Sequence, residues 1–319
     1  MTGQSFHSCA ARKMSPHVAI LMCTYNGQAF LDAQLQSIAH QTHSNWSLWI
    51  SDDGSSDQTI ALIKAFSQQI GEHRVHLLDG PKMGFAQNFI SLLGRAQIEA
   101  DFVAFADQDD LWLNNKLAQA LYHLESYDAQ ATLYVGPTIY IDEQNQYLGD
   151  SIIFTKQPSF ANALVQSIGG GNTMVLNHKA LALVRSHLPT TLVISHDWWL
   201  YQITTALGAA VIYDPVATVQ YRQHQDNLMG MNTSLAQKWR RIKMLWAGNY
   251  SKWNEANIQV LRPLRVTMRP GNEAVFDLFV FARKQGVIGR IVGMLKAGVY
   301  RQTLLGNLGL WFAIVTKRI

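Results

Sequence analysis

Residues 102–112, FVAFADQDDLW, constrain the fold of this chain more than any other segment. The apolar run FVAFA has the length and the Phe and Val content of a strand that is buried on both faces. It ends in three carboxylates, Asp107, Asp109 and Asp110. Because open α/β sheets bind their ligands at the carboxyl ends of parallel strands, this pattern predicts a cluster of negative charge at the mouth of a crevice.

Three carboxylates this close in sequence need a counter-charge. They repel one another, and each raises the pKa of the next unless a cation lies between them. Mg²⁺ or Mn²⁺ is the expected ion, because hard divalent cations take oxygen ligands and bridge to phosphates. The alternative is an acidic turn at the start of the next helix, with Asp109 or Asp110 as its N-cap.

The chain up to residue 112 alternates predicted strands with predicted helices. Strands are predicted at 17–23, 46–51, 75–78 and 102–106, and apolar residues at helical spacing follow each of the first three. Ser56 or Asp57 is the expected N-cap of the second helix. This alternation of strands and helices predicts right-handed crossovers and a mostly parallel sheet flanked by helices, which is an α/β fold.

A second acidic turn, residues 52–57, follows the second predicted strand. A carboxylate there is well placed for a ribose hydroxyl or a base N–H, while the other cluster holds a metal on the phosphates. The alternative for Asp52 and Asp53 is a simple turn and helix cap. The Gly-x-Gly-x-x-Gly and Gly-Lys-Ser/Thr motifs are missing from the sequence, which argues against a dinucleotide fold and a phosphate-loop ATPase.

Composition sets broad limits on the class of protein. With 319 residues, 48% of them hydrophobic and 15% charged, the chain can form one large α/β domain with an appendage, or two small domains. No apolar run reaches the roughly 18 residues of a spanning helix. Two cysteines, Cys9 and Cys23, indicate a reducing compartment. A net charge of +4 is too small to indicate nucleic acid as a partner.

Two segments of the second half carry further chemistry. Residues 167–173 contain three consecutive glycines, which either let the backbone approach a ligand closely or form a plain flexible loop. In residues 195–201, SHDWWLY, Ser195 can cap a helix whose first turn contains Asp197. Trp198 and Trp199 beside it offer flat apolar surface for a sugar ring, and the alternative is a helix-initiating Asp without a chemical role.

Four motifs in this order resemble the family 2 glycosyltransferases with the GT-A fold. They are VAILMCTYNG at 18–27, Gln41-Thr42 before Trp46, SDDGSSD at 51–57 and FADQDDLW at 105–112. The resemblance covers residues 18–227. It implies a nucleotide-sugar donor on the N-terminal half, Mg²⁺ or Mn²⁺ at the signature 107–109, and inversion at the anomeric carbon.

The resemblance also implies roles for individual residues. Asp109 is the expected direct metal ligand, and Asp107 contacts the ribose or a metal-bound water. Asp197 aligns with the family's general base, which takes the proton of the attacking hydroxyl. Residues expected to line the nucleotide sugar are Cys23, Tyr25, Asn26, Asp53, Asn88 and Asp107. Residues expected near the donor sugar or the acceptor are Gly170, Asn172, His196, Trp198 and Trp199.

The segment Tyr-Arg-Gln-His at 221–224 resembles rhamnosyltransferase-like members of the family. It implies that His224 completes the metal shell or contacts the diphosphate. Relatives usually have Gly after this histidine, whereas this chain has Gln225. Arg222 is expected to pair with a phosphate, or else with a surface acid.

The expected organisation is a flexible tail at 1–16, a catalytic domain at 17–230 and a helical region at 231–319. The catalytic domain divides into a nucleotide-sugar-binding half, 17–112, and an acceptor half, 113–230. Basic residues are frequent after residue 238, and segments 287–296 and 304–315 have the pattern of amphipathic helices with a basic polar face. They suit the surface of an anionic bilayer, or they pack on the catalytic domain or on a second subunit of a homodimer.

The expected function is inverting, metal-dependent transfer of L-rhamnose from dTDP-L-rhamnose to a glycan or a polyprenyl-diphosphate-linked acceptor. This places the chain in surface polysaccharide synthesis such as that of O-antigen, in the cytoplasm or peripherally at the inner face of the plasma membrane. Alternatives are UDP-galactose or UDP-N-acetylhexosamine as donor, and a nucleotide-sugar-binding module without turnover. A nucleotidyltransferase would need an early loop with Gly and Lys, which the sequence lacks.

Overall fold

The computed structural model describes residues 15–224 and 249–319. Most of the predicted N-terminal tail and the segment around Gln225, together with residues 231–248, therefore lie outside the described residues. The predicted α/β fold is confirmed: a largely parallel sheet forms the centre, and helices flank it. The strands are β1 (Val18–Thr24), β2 (Trp46–Asp52), β3 (Val75–Asp79), β4 (Phe102–Ala106), β5 (Leu111–Trp112), β6 (Thr132–Val135), β7 (Ile139–Ile141), β8 (Tyr147–Asp150), β9 (Val175–Asn177), β10 (Ala210–Tyr213) and β11 (Val219–Arg222).

The helices of the described residues alternate with these strands and then continue alone toward the C-terminus. They are α1 (Leu31–Ala39), α2 (Thr59–Ile70), α3 (Phe85–Leu93), α4 (Lys116–Glu125), α5 (Phe160–Ala163), α6 (His178–Arg185), α7 (His196–Ala206), α8 (Asn249–Leu261), α9 (Pro270–Lys284), α10 (Val287–Ala297) and α11 (Leu304–Val315). None of the helices in the described ranges is long and apolar enough to cross a membrane.

The central sheet has seven strands in the order β10-β6-β9-β4-β1-β2-β3. All neighbouring pairs are parallel except those that β9 makes with β4 and β6. Thr24 at the end of β1 pairs with Asp52, and Met22 pairs with Ala106 at the end of β4. The two acidic turns therefore leave the sheet at the same edge, as the sequence predicts.

Strands β1 and β4 are buried along their whole length because both faces of the sheet are covered. Side chains that alternate along a strand point to opposite faces. Leu21 and Phe105 belong to the hydrophobic cluster on one face, whereas Ile20 and Ala104 belong to the cluster on the other. This explains why these segments read as continuous apolar runs rather than as alternating ones.

A second sheet of four strands, in the order β5-β11-β7-β8, lies beside the acidic segment. Its strand β11 pairs antiparallel with β5, with Val219 opposite Trp112 and Gln220 opposite Leu111. Because β5 directly follows the three carboxylates, this pairing carries the end of β11 to the acidic cluster. The distant segment 221–224 thereby joins the site.

The structure decides two questions of helix capping. Helix α4 begins at Lys116 with Asn115 as its N-cap, so the acidic segment 107–110 is not a helix cap. The prediction that Ser56 or Asp57 caps the second helix is wrong, since Gln58 holds that position. Asp57 lies one residue earlier, where its carboxylate accepts hydrogen bonds from the backbone N–H groups of Thr59 and Gln28.

The C-terminal helices pack on the catalytic core. Phe276, Met294 and Leu310 belong to the same hydrophobic cluster as Leu21 of β1 and Phe105 of β4. The two predicted amphipathic segments are both helical, and one face of each packs on this core while another stays exposed. The basic polar face predicted for 304–315 is wrong, because this helix contains no charged residue.

Candidate active site

Three carboxylates from two distant segments gather at the end of β4. The pKa of Asp107 is raised to about 8, mainly by burial and then by the negative charges of Asp109 and Asp197. Asp197 belongs to the first turn of α7, so the fold has carried it to the segment that follows β4. The predicted meeting of the metal-binding signature with the predicted base is thus present in the structure.

His224 directly contacts Asp109. The His224 Nε2 atom lies 2.8 Å from Asp109 Oδ2, and both side chains remain partly exposed to solvent. The Phe30 ring lies beside the imidazole, with 5.4 Å between the ring centroids. Antiparallel pairing of β11 with β5 makes this contact possible across 115 positions of sequence. Two of the three residues predicted to bind metal therefore form one pair.

Asp110 is fully buried and holds other segments in place, a role that the sequence does not predict. Its carboxylate accepts hydrogen bonds from Asn172 Nδ2 at 2.5 Å and from the backbone N–H of Arg222 at 3.1 Å. Burial raises its pKa well above the usual range, and the charges of Asp109 and Asp107 add to this. Asp110 thereby joins the glycine loop and strand β11 to the segment that carries Asp107 and Asp109.

Arg222 does not present its charge to the open site. Its side chain is buried; Nε donates to the carbonyl of Asp109, and Nη1 donates to the carbonyl of Asp142 and to Asn145 Oδ1. The guanidinium also lies over the Phe30 ring, 4.6 Å from its centroid. Burial contradicts the expected contact with a phosphate, because the Nε and Nη1 donors are satisfied within the protein as a buried guanidinium requires. The expected pairing with an acid stays a prediction.

Lys116 is a buried charge beside the acidic segment that the sequence does not predict. Its ammonium group is buried 3.6 Å from the centroid of the Trp112 ring, and no hydrogen-bond acceptor is in reach among the described residues. Burial lowers its pKa to about 7, while the charges of Asp110 and Asp107 act in the opposite direction. A lysine at the start of a helix usually points into water, so the sequence carries no signal for this position.

The turn after β1 is held by hydrogen bonds to two other segments. The Gln108 amide accepts from the backbone N–H of Tyr25 at 2.9 Å and donates to the carbonyl of Tyr25 at 3.1 Å. Asn26 has a φ of 47°, as expected for its turn, and its Oδ1 accepts from the N–H of Ser56. The Tyr25 ring is 58% exposed and is available to a ligand. A Cβ on Gly27 would collide with Gln108, which explains the glycine.

The other residues predicted to line the nucleotide are used within the protein. Asp53 accepts from the backbone N–H groups of Lys82 at 2.6 Å and Gly84 at 2.8 Å. Asn88 is buried, and its amide exchanges two hydrogen bonds with Ser51. Burial raises the pKa of the Cys23 thiol, with further contributions from Asp107 and Asp53. Direct contact between Asn88 and the nucleotide is ruled out because no surface of its side chain is open.

The three glycines of residues 169–171 allow close packing against the protein. A Cβ on Gly169 would lie 2.5 Å from Val135 Cγ2, and one on Gly171 would collide with the His196 ring. Gly170 is exposed, but a Cβ there would lie 2.6 Å from Asn172 Oδ1. Asn172 itself is buried and bound to Asp110. Direct ligand contact by Asn172 is therefore contradicted, while exposed Gly170 stays a prediction.

The aromatic shelf predicted beside Asp197 does not exist. Trp198 and Trp199 are 8% and 1% exposed, and Trp198 Nε1 donates to the carbonyl of Ala163 at 2.7 Å. His196 is also buried and stacks on Phe89 with 4.0 Å between centroids, and burial lowers its pKa to about 4. Helix α7 turns these side chains inward because it packs between other elements of the core. Asp197 alone of this group stays partly open to solvent.

The donor set fits a divalent cation that shares its ligands with a substrate. Among residues 15–224 and 249–319, no three His, Cys, Asp or Glu side chains form a ready-made metal site. Mg²⁺ sites often consist of one or two carboxylates together with substrate phosphates and water, so a smaller protein contribution is sufficient. Asp109 Oδ2 and His224 Nε2 supply two donors, and a cation there would relieve the crowding that raises the pKa of Asp107.

Comparison with known proteins agrees with this geometry. The dTDP-rhamnosyl transferase RfbG of Shigella flexneri is 28% identical over 232 residues, which cover 70% of this chain and 78% of that protein. The UDP-Glc:alpha-D-GlcNAc-diphosphoundecaprenol beta-1,3-glucosyltransferase WfgD of Escherichia coli is 35% identical over 102 residues, 31% of this chain and 38% of that protein. The second similarity spans less than half of either chain.

Solved structures with a similar fold are glycosyltransferases of the GT-A type. S. aureus TarS 1–349 in complex with UDP-GlcNAc has a TM-score of 0.56 at 13% identity, over 94% of this chain and 90% of that one. The mannosyltransferase PcManGT from Pyrobaculum calidifontis, in complex with GDP-Man and Mn²⁺, has a TM-score of 0.53 at 15% identity, over 96% of this chain and 86% of that one. At these identities the similarity establishes the fold alone. The sequence model of the family described as "Glycosyl transferase family 2" matches residues 19–187, more than half of the 319 residues, so the chain belongs to this family and is a glycosyltransferase that uses a nucleotide sugar.

Proposed function

We propose that this glycosyltransferase inverts the anomeric centre of its donor and depends on Mg²⁺ or Mn²⁺. The observation that carries the proposal is the contact between His224 and Asp109, beside Asp107 and within electrostatic reach of Asp197. Four side chains with the required chemistry thus surround one edge of the sheet. In an α/β fold this edge is where ligands bind.

Each residue of the cluster has a distinct proposed role. Asp109 and His224 would hold the metal beside the donor diphosphate, and Asp107 would contact the ribose or a water molecule. When bound, the ion supplies positive charge that stabilises the departing diphosphate. Tyr25 and Asn26 contact the nucleotide, and Asp53 shapes its site by holding the backbone of residues 82–84.

Asp197 is the proposed general base. It accepts the proton of the acceptor hydroxyl as that oxygen attacks the anomeric carbon, and the bond from this carbon to the diphosphate breaks on the opposite face. Two facts support the assignment: Asp197 stays partly exposed while its neighbours are buried, and its charge reaches Asp107. The backbone N–H of Trp198 donates to Asp197 Oδ1 at 2.6 Å, which orients the carboxylate.

L-Rhamnose from dTDP-L-rhamnose is the proposed donor. The 28% identity to a dTDP-rhamnosyl transferase extends over 70% of this chain and supports this choice, together with the Tyr-Arg-Gln-His segment. A UDP-hexose is the second candidate, favoured by the 35% identity to a UDP-glucose enzyme over a shorter segment. UDP-galactose and UDP-N-acetylhexosamine belong to the same class of donor.

The proposed acceptor is a glycan or a polyprenyl-diphosphate-linked saccharide of surface polysaccharide synthesis. WfgD, which is similar over 102 residues, is named as acting on a diphosphoundecaprenol-linked sugar. An acceptor of this kind lies at a membrane, so the proposed location is the cytoplasmic side of the plasma membrane.

A donor screen tests these proposals. The full chain is incubated with dTDP-L-rhamnose, UDP-glucose, UDP-galactose or UDP-N-acetylglucosamine, in Mn²⁺ or in EDTA, and release of the nucleoside diphosphate is measured. We expect dTDP release from dTDP-L-rhamnose that EDTA abolishes and that added Mn²⁺ restores. Full turnover in EDTA would contradict the metal requirement, and preference for a UDP-sugar would replace rhamnose as the donor.

A further inference from the structure

Helices α10 and α11 present a large apolar surface to solvent. Met294 and Ala297 of α10 and Leu310 and Ile314 of α11 face the core. On their other sides, both helices expose apolar side chains, which together are named here the C-terminal apolar surface. These side chains are Val287, Ile288, Val292, Leu295, Leu304, Leu305, Leu308 and Val315.

The exposed side chains form one stripe on each helix. At about 100° of rotation per residue, the four on α11 fall within an arc of about 100°, and the four on α10 within about 140°. Leu304 and Leu305 are 78% and 79% exposed, and Ile288 is 79% exposed. Helix α11 contains no charged residue at all, and a helix that is apolar all round is normally covered on every side. The exposed stripe therefore calls for a partner.

Charge identifies the kind of partner. Residues 285–319 contain five basic residues, Arg290, Lys296, Arg301, Lys317 and Arg318, and no acidic residue. Lys296 and Lys317 are exposed, and so is Lys284 at the end of α9. Arg290 is buried instead: its Nη1 atom donates to the carbonyl of Ile314 at 2.8 Å and ties α10 to α11. An apolar stripe with basic residues beside it matches an anionic lipid surface.

We propose that the C-terminal apolar surface docks on an anionic bilayer. Leucine, isoleucine and valine side chains would enter the boundary between headgroups and acyl chains, and Lys296 would contact lipid phosphates. A second copy of the chain is a less suitable occupant. A twofold interface through α10 would bring Lys296 of both copies close together, and residues 285–319 contain no acidic residue to compensate the repeated positive charge.

The docking surface is joined to the half of the enzyme that carries Asp197. The Asn162 amide donates to the carbonyl of Tyr300, the residue that precedes α11 by four positions, at 2.8 Å. Asn162 Oδ1 also accepts from Tyr201 of α7 at 3.0 Å. Membrane docking would therefore fix the orientation of α7 relative to the bilayer. The docking inference rests on the proposed function, because it concerns how the enzyme reaches a lipid-linked acceptor.

Vesicle flotation tests the proposal. The full chain is floated through sucrose with vesicles of equal parts phosphatidylcholine and phosphatidylglycerol, or of phosphatidylcholine alone. We expect flotation with the anionic vesicles and much less with the neutral ones. The double variant Leu305→Gln/Leu308→Gln should lower the partition coefficient by about tenfold or more, because two large apolar side chains no longer enter the lipid. Val266→Gln, at an exposed apolar position away from both helices, is the matched control and should float as the wild type does.

The outcomes separate docking from catalysis. Release of nucleoside diphosphate from soluble donor is measured on the same preparations, and the double variant should retain the wild-type rate. If the wild type floats with neither kind of vesicle, or if the double variant floats as well as the wild type, the docking proposal is wrong. Either result leaves the proposed function intact. A wild-type dimer that Leu305→Gln/Leu308→Gln dissociates would assign the surface to a second copy. Flotation without any donor turnover would overturn the proposed function alone.

Discussion

Replacing Lys116 by methionine tests whether a buried lysine neutralises the acidic segment. Methionine keeps the unbranched shape that packs on Trp112 but removes the ammonium group. The charges of Asp110 and Asp107 raise the pKa of Lys116, and the charge of Lys116 lowers the pKa of Asp107. Lys116→Met therefore leaves Asp110 without its compensating charge.

The size of the effect follows from competing contributions. Removing one member of a buried charge pair costs about 3–5 kcal/mol, and losing a desolvated cation–π contact adds about 2 kcal/mol. The methionine variant no longer desolvates an ammonium group, which offsets several kcal/mol. We expect a net loss of about 3 kcal/mol in the free energy of unfolding. Asp110→Asn should cost a similar amount, because it isolates the lysine and retains an oxygen for the Arg222 N–H.

Urea unfolding of a double-mutant cycle measures this coupling. If the two charges compensate each other, Lys116→Met/Asp110→Asn should cost about 3 kcal/mol rather than the sum of the single variants. Lys64→Met, at an exposed lysine of α2, is the matched control and should change stability by no more than about 0.5 kcal/mol. Additive losses in the double variant would refute the coupling.

Three further predictions concern the site. Asp109→Asn should bind nucleoside diphosphate equally weakly in Mn²⁺ and EDTA by calorimetry, and a retained metal effect would exclude Asp109 as a ligand. Asp197→Asn should keep donor affinity within about twofold while kcat falls by about 10²–10⁴, so a wild-type kcat would exclude Asp197 as the base. Since the pKa of Asp107 is 3.8 in its usual state and about 8 in the fold, the folded protein holds a proton that the unfolded chain has released between these values. The metal-free protein should therefore lose stability as pH rises from about 4 to 8 and level off above, and the difference in melting temperature between wild type and Asp107→Asn in EDTA should follow this profile; a difference that is constant with pH would contradict it.

Much of the nucleotide-binding half follows from local sequence. Strands β1 and β4 are covered on both faces, so their apolar runs are unbroken and their limits are recognisable within a residue or two. Parallel crossovers then force both acidic turns to one edge. The N-cap of α2 could not be predicted in this way. Asp57 accepts a hydrogen bond from the N–H of Thr59 although it lies outside the helix, and the sequence does not distinguish this arrangement from an N-cap.

The sequence does not predict which polar and aromatic side chains of the site region are buried, and burial decides whether they can contact a ligand. Arg222, Asn88 and Trp199 have the chemistry of phosphate, nucleotide and sugar contacts, yet the fold turns all three inward. Protein carbonyls satisfy hydrogen-bond donors of Arg222 and Asn88, and the Trp199 ring packs in the core. Conversely, Lys116 and Asp110 have no motif that marks them as the buried charges under the site.

Local patterns in the chain specify the order of apolar strands, acidic turns and helices, because these properties depend on residues that are close together in sequence. Which side chains meet depends on long-range packing. Strand β11 must pair with β5 before His224 can reach Asp109, and α7 must pack before Asp197 can approach Asp107. Contacts between segments ninety or more residues apart depend on sheet pairing and on the competition for buried space, and a linear pattern records neither.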